Sequence, residues 1–271
     1  MAKKASARSQ RSRRASSAIA TAAPADAILG QITGFAGNSA VARYPWKDRG
    51  RAPLGYTKGM AVAFARVYCK LRAGDAAAQE MAKADTGHPR SDALSWYAPE
   101  FQALGLRNDV DGADTLRHLF VLLIGLGMRE SSGKHCEGRD MSANNQTGET
   151  AEAGLFQVSF NSRSGSPLLS QLFDTYLANQ SGFVDIFHQG VSCSAANLKN
   201  WGSGDGVEFQ RLSKACPAFA AEFAAVGLRR IRRHWGPINT KKAEVLRDCD
   251  TLLRGVQDIV DASPGACAAL Q

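Results

Sequence analysis

A mainly α-helical fold is predicted by two positive observations and one negative one. Met60, Phe64, Val67, Tyr68 and Leu71 recur at i, i+4, i+7, i+8 and i+11, which is one face of a helix. Leu119 to Met128 is apolar nearly all round, the pattern of a buried central helix. Strand-like alternation is scarce, and no internal repeat is found.

The elements follow in chain order. Residues 1–27 are rich in Ala, Ser and Arg without periodicity and read as a basic, disordered tail. Arg13 and Arg14 precede a weakly apolar Ala/Ser/Thr stretch, which gives the tail a faint export-signal look. Residues 28–271 read as one domain, with 28–112 as an N-terminal helical subregion. Seven Gly and Pro residues between Gly30 and Gly55 predict irregular structure, with a short helix near Ile28–Ile32. Tyr44 and Trp46 are expected to pack on the body. From Thr57 the pattern is helical until Gly74-Asp75. Short pieces near Ala93–Trp96 and Phe101–Leu104 follow.

The segment Asp109 to Asp114 has the look of an EF-hand loop and fails the test. With Gly112 at the sixth position, the first would be Arg107 and the twelfth His118, where acids are needed. Asp111 or Asp114 reads better as a helix N-cap. The buried helix then runs from Ala113 to Ser131, with Gly133 as its stop. A polar loop or small hairpin continues to about Ala151, and helical segments are expected near 167–188, 207–233 and 241–260.

Charge excludes less than it first suggests. The 271 residues carry a formal charge of +8, but residues 1–14 hold six basic residues and no acid. The remainder is +2, so nucleic-acid binding is disfavoured. Arg229, Arg230, Arg232 and Arg233 read as a solvated helix face, or as contacts to anionic glycan or nucleic acid. The longest apolar stretch is ten residues, where a membrane span needs roughly 20. Six cysteines without a CxxC pair permit up to three disulfides, or buried thiols. His135 beside Cys136 has no identifiable orienting partner for nucleophilic catalysis. The five His lack metal-ligand spacing, and the Gly-rich run 202–206 lacks the Lys-Ser/Thr of a phosphate loop.

Glu130 carries the chemistry. It lies at the C-terminal end of the most hydrophobic helix, where desolvation and the helix dipole both favour its protonated form. A general acid for glycosidic-bond cleavage needs that property. A plain ion pair with Arg129 is the alternative.

Arg129-Glu130-Ser131-Ser132-Gly133, a polar loop, then Gly154-Leu155-Phe156-Gln157 resembles the lysozyme-like superfamily, in particular soluble lytic transglycosylases and goose-type lysozymes. The direct match covers residues 128–161. The resemblance implies a lysozyme-like helical domain that cleaves β-1,4 bonds in peptidoglycan or a related amino-sugar polymer, without metal or cofactor. Glu130 matches the acid, Ser131 the serine along the sugar groove, and Gln157 the glutamine that shapes the cleft beside the acid. Gly154 matches the glycine that allows close approach at the start of the family's next helix, a plain turn residue being the alternative, and Phe156 lies within that element toward substrate. Trp235, within His234–Asn239, is placed in the cleft by order alone; a packing Trp at a helix end is the alternative.

The sequence departs from the family in three respects. The loop from His135 to Glu152 is long, Ser159 stands where goose-type enzymes place an Asp, and no Ala-Tyr-Asn-Ala-Gly segment is seen. The second carboxylate is expected to be Glu152, with Asp140 and Glu149 as alternatives. A hydrolase uses that carboxylate; a transglycosylase uses one Glu as acid and then base, with the muramyl C6 hydroxyl as nucleophile. Competing readings are a non-catalytic glycan-binding module, and a nucleic-acid-associated protein using the basic tail. The cysteines and the implied substrate favour a periplasmic or secreted location.

Overall fold

The computed structural model describes residues 25–271. Residues 1–24 of the expected basic tail and export signal lie outside those described, and its last three residues, 25–27, belong to a helix instead of a disordered tail. The described chain is mainly helical, and its one sheet has two short strands.

Helix α1 (Ala25–Asn38) is longer than its glycines suggest. Its Ile28, Ile32 and Ala36 form a buried i, i+4, i+8 stripe that outweighs the cost of its three glycines. Strands β1 (Pro45–Trp46) and β2 (Gly50–Arg51) pair antiparallel around a tight turn. Trp46 is buried, and Tyr44 meets its ring edge at 5.1 Å, as expected of packing aromatics.

Helix α2 (Leu54–Arg72) is buried on every side from Gly55 to Cys69, more deeply than its one-faced pattern implies. The short helices α3 (Ala76–Ala82), α4 (Ala93–Trp96) and α5 (Ala98–Ala103) follow. Helix α6 (Ala113–Ser131) has the predicted limits and is buried throughout from Thr115 to Met128. Its N-cap is Gly112 and not an acid. Asp114 pairs with Arg117 at 2.7 Å, and Asp111 accepts the Ala84 N–H at 2.7 Å. Both carboxylates therefore serve tertiary or neighbouring side-chain contacts.

Beyond α6 the helices are α7 (Pro167–Ala178), α8 (Val184–Phe187), α9 (Ala195–Leu198), α10 (Asp205–Ala215), α11 (Pro217–Arg230), α12 (Gly236–Asn239), α13 (Arg247–Ala262) and α14 (Ala266–Leu270). Each predicted long segment after 167 is thus broken or shortened; Cys216-Pro217 divides α10 from α11, since Pro cannot continue a helix as a donor. Helices α2 and α6 form the centre, contacting each other, with α3, α11 and α13 packed against both.

Two contacts fix the end of α6 that carries Glu130. Tyr56 of α2 donates its hydroxyl to the Ile124 carbonyl at 2.7 Å. The Tyr56 hydroxyl sits where a side chain on Gly127 would begin, so the close approach of the two helices requires glycine there. The helix then stops on Ser132 in the left-handed conformation (φ 53°).

Four of the six cysteines pair. Cys69–Cys267 ties α2 to α14, and Cys136–Cys193 ties the loop after α6 to the segment before α9. Cys216 and Cys249 are buried thiols. The second disulfide closes a separation of 57 residues, which removes about 4 kcal/mol of chain entropy from the unfolded state.

The Arg229–Arg233 run is not a solvated face. Arg229 is 2 % exposed and pairs with the fully buried Asp92 at 3.1 Å. Arg230 pairs with Glu80 at 2.6 Å. Arg232 is buried, stacks on Trp96 at 4.3 Å and donates to the Asn239 side chain at 2.8 Å. Only Arg233 of the four lacks such a buried or paired setting and is exposed. The run curls past the end of α11, so consecutive residues face different partners. Among the described residues no helix is long and apolar enough to cross a membrane.

Candidate active site

Glu130 lies in the last turn of α6, half-buried, where the rigid central helix meets a polar cavity of about 450 Å³. Arg129 does not neutralise it in a simple pair. The Arg129 guanidinium turns to the β1–β2 turn, donating to the Lys47 carbonyl at 2.9 Å and facing Asp48 at 3.6 Å. Its carbonyl is taken by Arg49.

The loop after α6 supplies the opposite wall. Cys136 is anchored by its disulfide, and Glu137 accepts from Asn197 at 3.1 Å. The Glu137 carbonyl accepts the Gly154 N–H at 2.9 Å. Arg139 is buried, donates to Asn145 at 2.8 Å and lies over the Trp201 ring at 4.4 Å. Asn145 in turn donates to Glu152 at 3.2 Å. The chain Arg139–Asn145–Glu152 therefore holds the second carboxylate from behind.

Gly154 to Gln157 does not open a helix. Ala153 and Val158 form an isolated antiparallel bridge, and the four residues between them make its turn. Gly154 has φ 77°, and a side chain there would lie 2.6 Å from the Ser213 carbonyl. Gln157 is also left-handed (φ 48°), and its amide donates back to the Gly154 carbonyl at 3.1 Å. A short 3₁₀ segment (Phe160–Gly165) follows.

Four of the six site residues expected from sequence line this one cavity: Glu130, Glu152, Gln157 and Trp235. Trp235 comes from the segment between α11 and α12; its ring is buried and its Nε1–H donates to the Phe156 carbonyl at 2.7 Å. Trp235 is thus a packing residue that also borders the cavity. His234, its neighbour, also lines the cavity.

Phe156 and Ser131 are placed elsewhere. Phe156 is wholly buried in the core and reaches the site only through its carbonyl. Ser131 is 4 % exposed, and its hydroxyl donates to the Gly127 carbonyl at 3.0 Å, satisfying the helix that carries it. Of the alternative acids, Asp140 lines the cavity and Glu149 does not. Ser159 donates to Asn161 at 2.7 Å and contributes no carboxylate. Arg49, Glu137 and Arg139 also line the cavity, and no sequence motif points to them. Arg49 lies 80 residues from Arg129, whose carbonyl it meets, and no local pattern signals that approach. For the other two, the neighbouring Cys136 and the constraint it imposes are the available hint.

The electrostatics separate the two acids. Desolvation is the largest cause that lifts Glu130 to about 8; the charges of Glu152 and Asp140 raise it further, while Arg49 and Arg129 oppose. Glu152 is also raised, by desolvation first and then by Asp140. The rise is large for Glu130 and smaller for Glu152, so Glu152 ionises first and Glu130 keeps its proton to higher pH. A neutral acid beside an ionised carboxylate is the pairing that acid-assisted bond cleavage requires.

This arrangement burdens the fold in a predictable pH window. Glu130 has a higher pKa folded than unfolded, so unfolding releases a proton between about 4.5 and about 8. The stability associated with its neutral form is complete below that window and lost through it as pH rises. Glu130→Gln is therefore expected to raise Tm more at pH 9 than at pH 4.5. Equal shifts at the two pH values in thermal melts would remove the desolvated state assigned to Glu130.

His135, Cys136 and Cys193 bring possible ligand atoms within 4.8 Å of one another, but both sulfurs belong to the disulfide. His135 alone then remains as a ligand. Compared with protein-family models, curated proteins and solved structures, the chain matches none.

Proposed function

We propose that the protein cleaves β-1,4 glycosidic bonds in an amino-sugar polymer, peptidoglycan or a relative of it. The observation that carries this reading is the shared cavity in which Glu130 holds its proton to about 8 beside the earlier-ionising Glu152. The resemblance of residues 128–161 to goose-type lysozymes and soluble lytic transglycosylases supports the substrate class.

In this mechanism the Glu130 carboxyl donates its proton to the glycosidic oxygen. The C1–O bond breaks, the leaving sugar departs as an alcohol, and positive charge develops at C1. Glu152, oriented by Asn145, stabilises that charge and accepts a proton from the attacking water. Water's oxygen bonds to C1, leaving a reducing end. Proton transfer through solvent returns Glu130 to its acid form. Arg49 and Arg139 limit mutual repulsion among the four acids that line the cavity.

The test is incubation of the full chain with purified peptidoglycan, chitin and chitosan, with soluble products read by mass spectrometry. Reducing-end fragments from at least one polymer are expected. Anhydro ends would instead assign Glu130 both proton transfers, with the C6 hydroxyl as nucleophile. Release from none of the three overturns the proposal.

A further inference from the structure

His234 lines the cavity of Glu130 and also a second cavity of about 360 Å³. The second is bounded by Arg90, Arg230 and Arg233, with Ser91, Ser162 and Ser164 between them. Its lining includes no Asp or Glu, whereas in the first cavity Glu130, Glu137, Asp140 and Glu152 stand beside Arg49, Arg129 and Arg139. The first cavity mixes both signs of charge, and the charged residues lining the second are all basic.

The arginines differ in what they have left to offer. Arg230 is engaged by Glu80 at 2.6 Å. Arg90 and Arg233 are exposed, and among the described residues no carboxylate stands within 4 Å of either. Each comes from a different part of the chain, Arg90 from the loop before α4 and Arg233 from the segment after α11. The buried pair Arg229–Asp92 and the part-buried Arg232–Asn239 hydrogen bond hold the second of these segments in place. Two free guanidiniums over one concavity suit a planar or tetrahedral anion, to which each offers paired N–H donors.

We propose that this second cavity is a subsite for an anionic substituent of the glycan, a carboxylate or a phosphate, recognised by Arg90 and Arg233. The inference rests on the glycan-cleaving reading of the first cavity. A neutral chitin-like chain has no group to place there. An anionic polymer has such a group. The second cavity therefore selects a charged polymer.

The test uses the full chain carrying E130Q, which slows turnover, and three oligosaccharides of equal length: neutral, muramyl-carboxylate-bearing and phosphate-bearing. Affinities are measured by calorimetry at low and high salt. The anionic oligomers are expected to bind about tenfold more tightly than the neutral one, the size of two exposed ion pairs. That advantage should shrink with salt. Adding R90Q and R233Q together should bring the ratio close to one. Preference for the muramyl or for the phosphorylated arm identifies the anion, and either supports the subsite. Equal affinity for all three, or a ratio that survives R90Q/R233Q, overturns the subsite while leaving glycan cleavage intact. Binding of none overturns both readings.

Discussion

Glu130→Gln is expected to lower kcat on the cleaved polymer by about a thousandfold, within the range general acid catalysis contributes. Gln keeps the shape and a hydrogen-bond donor but has no proton to transfer, so KM should change little. The wild-type pH profile carries a second signature. The descending limb should fall near pH 8, where Glu130 loses its proton. The ascending limb should lie above the ordinary carboxylate range, since Glu152 is also raised. In the variant's residual activity the alkaline limb should be gone. Retention of full activity, or of that limb, would assign the acid to another residue. Glu152→Gln makes the partner test, because removing its charge lowers the Glu130 pKa and moves the alkaline limb downward.

The largest effect on stability is expected from Asp92→Ala. Asp92 is fully buried, and its carboxylate takes four partners: Thr86 N–H and Leu94 N–H at 3.0 Å, the Ser95 hydroxyl at 3.3 Å, and Arg229 at 3.1 Å. It caps α4 and pins the end of α11 at once. Arg229 has little else; it donates to the Ala84 carbonyl at 2.7 Å, while its Nε and Nη1 have no hydrogen-bond partner. Truncating Asp92 would strand that buried charge, at a cost of about 3–5 kcal/mol. For a chain of this size that is about 10 °C in Tm. Pairing the change with Arg229→Met should restore part of the loss, since removing both charges costs less than removing one. Thermal and urea melts of the single and double variants measure the coupling. A single variant within about 2 °C of wild type would show that the pair does not hold the fold.

Part of this architecture is legible in the residues alone. The limits of α6 follow from the apolar run Leu119–Met128, the Asp111-Gly112 pair before the helix and the Ser-Ser-Gly stop after the run. Glu130 stands out because one carboxylate ends that run. Glu152 is one of four acids in the loop, and the Asn145 contact and its place on the cavity distinguish it from Glu149. What escapes a sequence reading is set by tertiary contact. The glycines of α1 conceal its length because the Ile28–Ile32–Ala36 stripe is short and its partners are remote in sequence. The helix expected at Gly154 is a bridged turn, since two left-handed residues within four cannot start an α-helix. Ser131 faces inward because Gly127, four residues before it, lies on the face against α2.

That last glycine has a consequence for how mutations would be interpreted. Gly127 does not line the cavity, yet any side chain there collides with the Tyr56 hydroxyl and displaces the turn that bears Glu130. A genetic screen for lost activity should therefore return lesions at Gly127 and Tyr56 beside those at Glu130. Taken at face value, such lesions would wrongly enlarge the catalytic inventory. Here the address of an acid is inherited through a residue that does no chemistry.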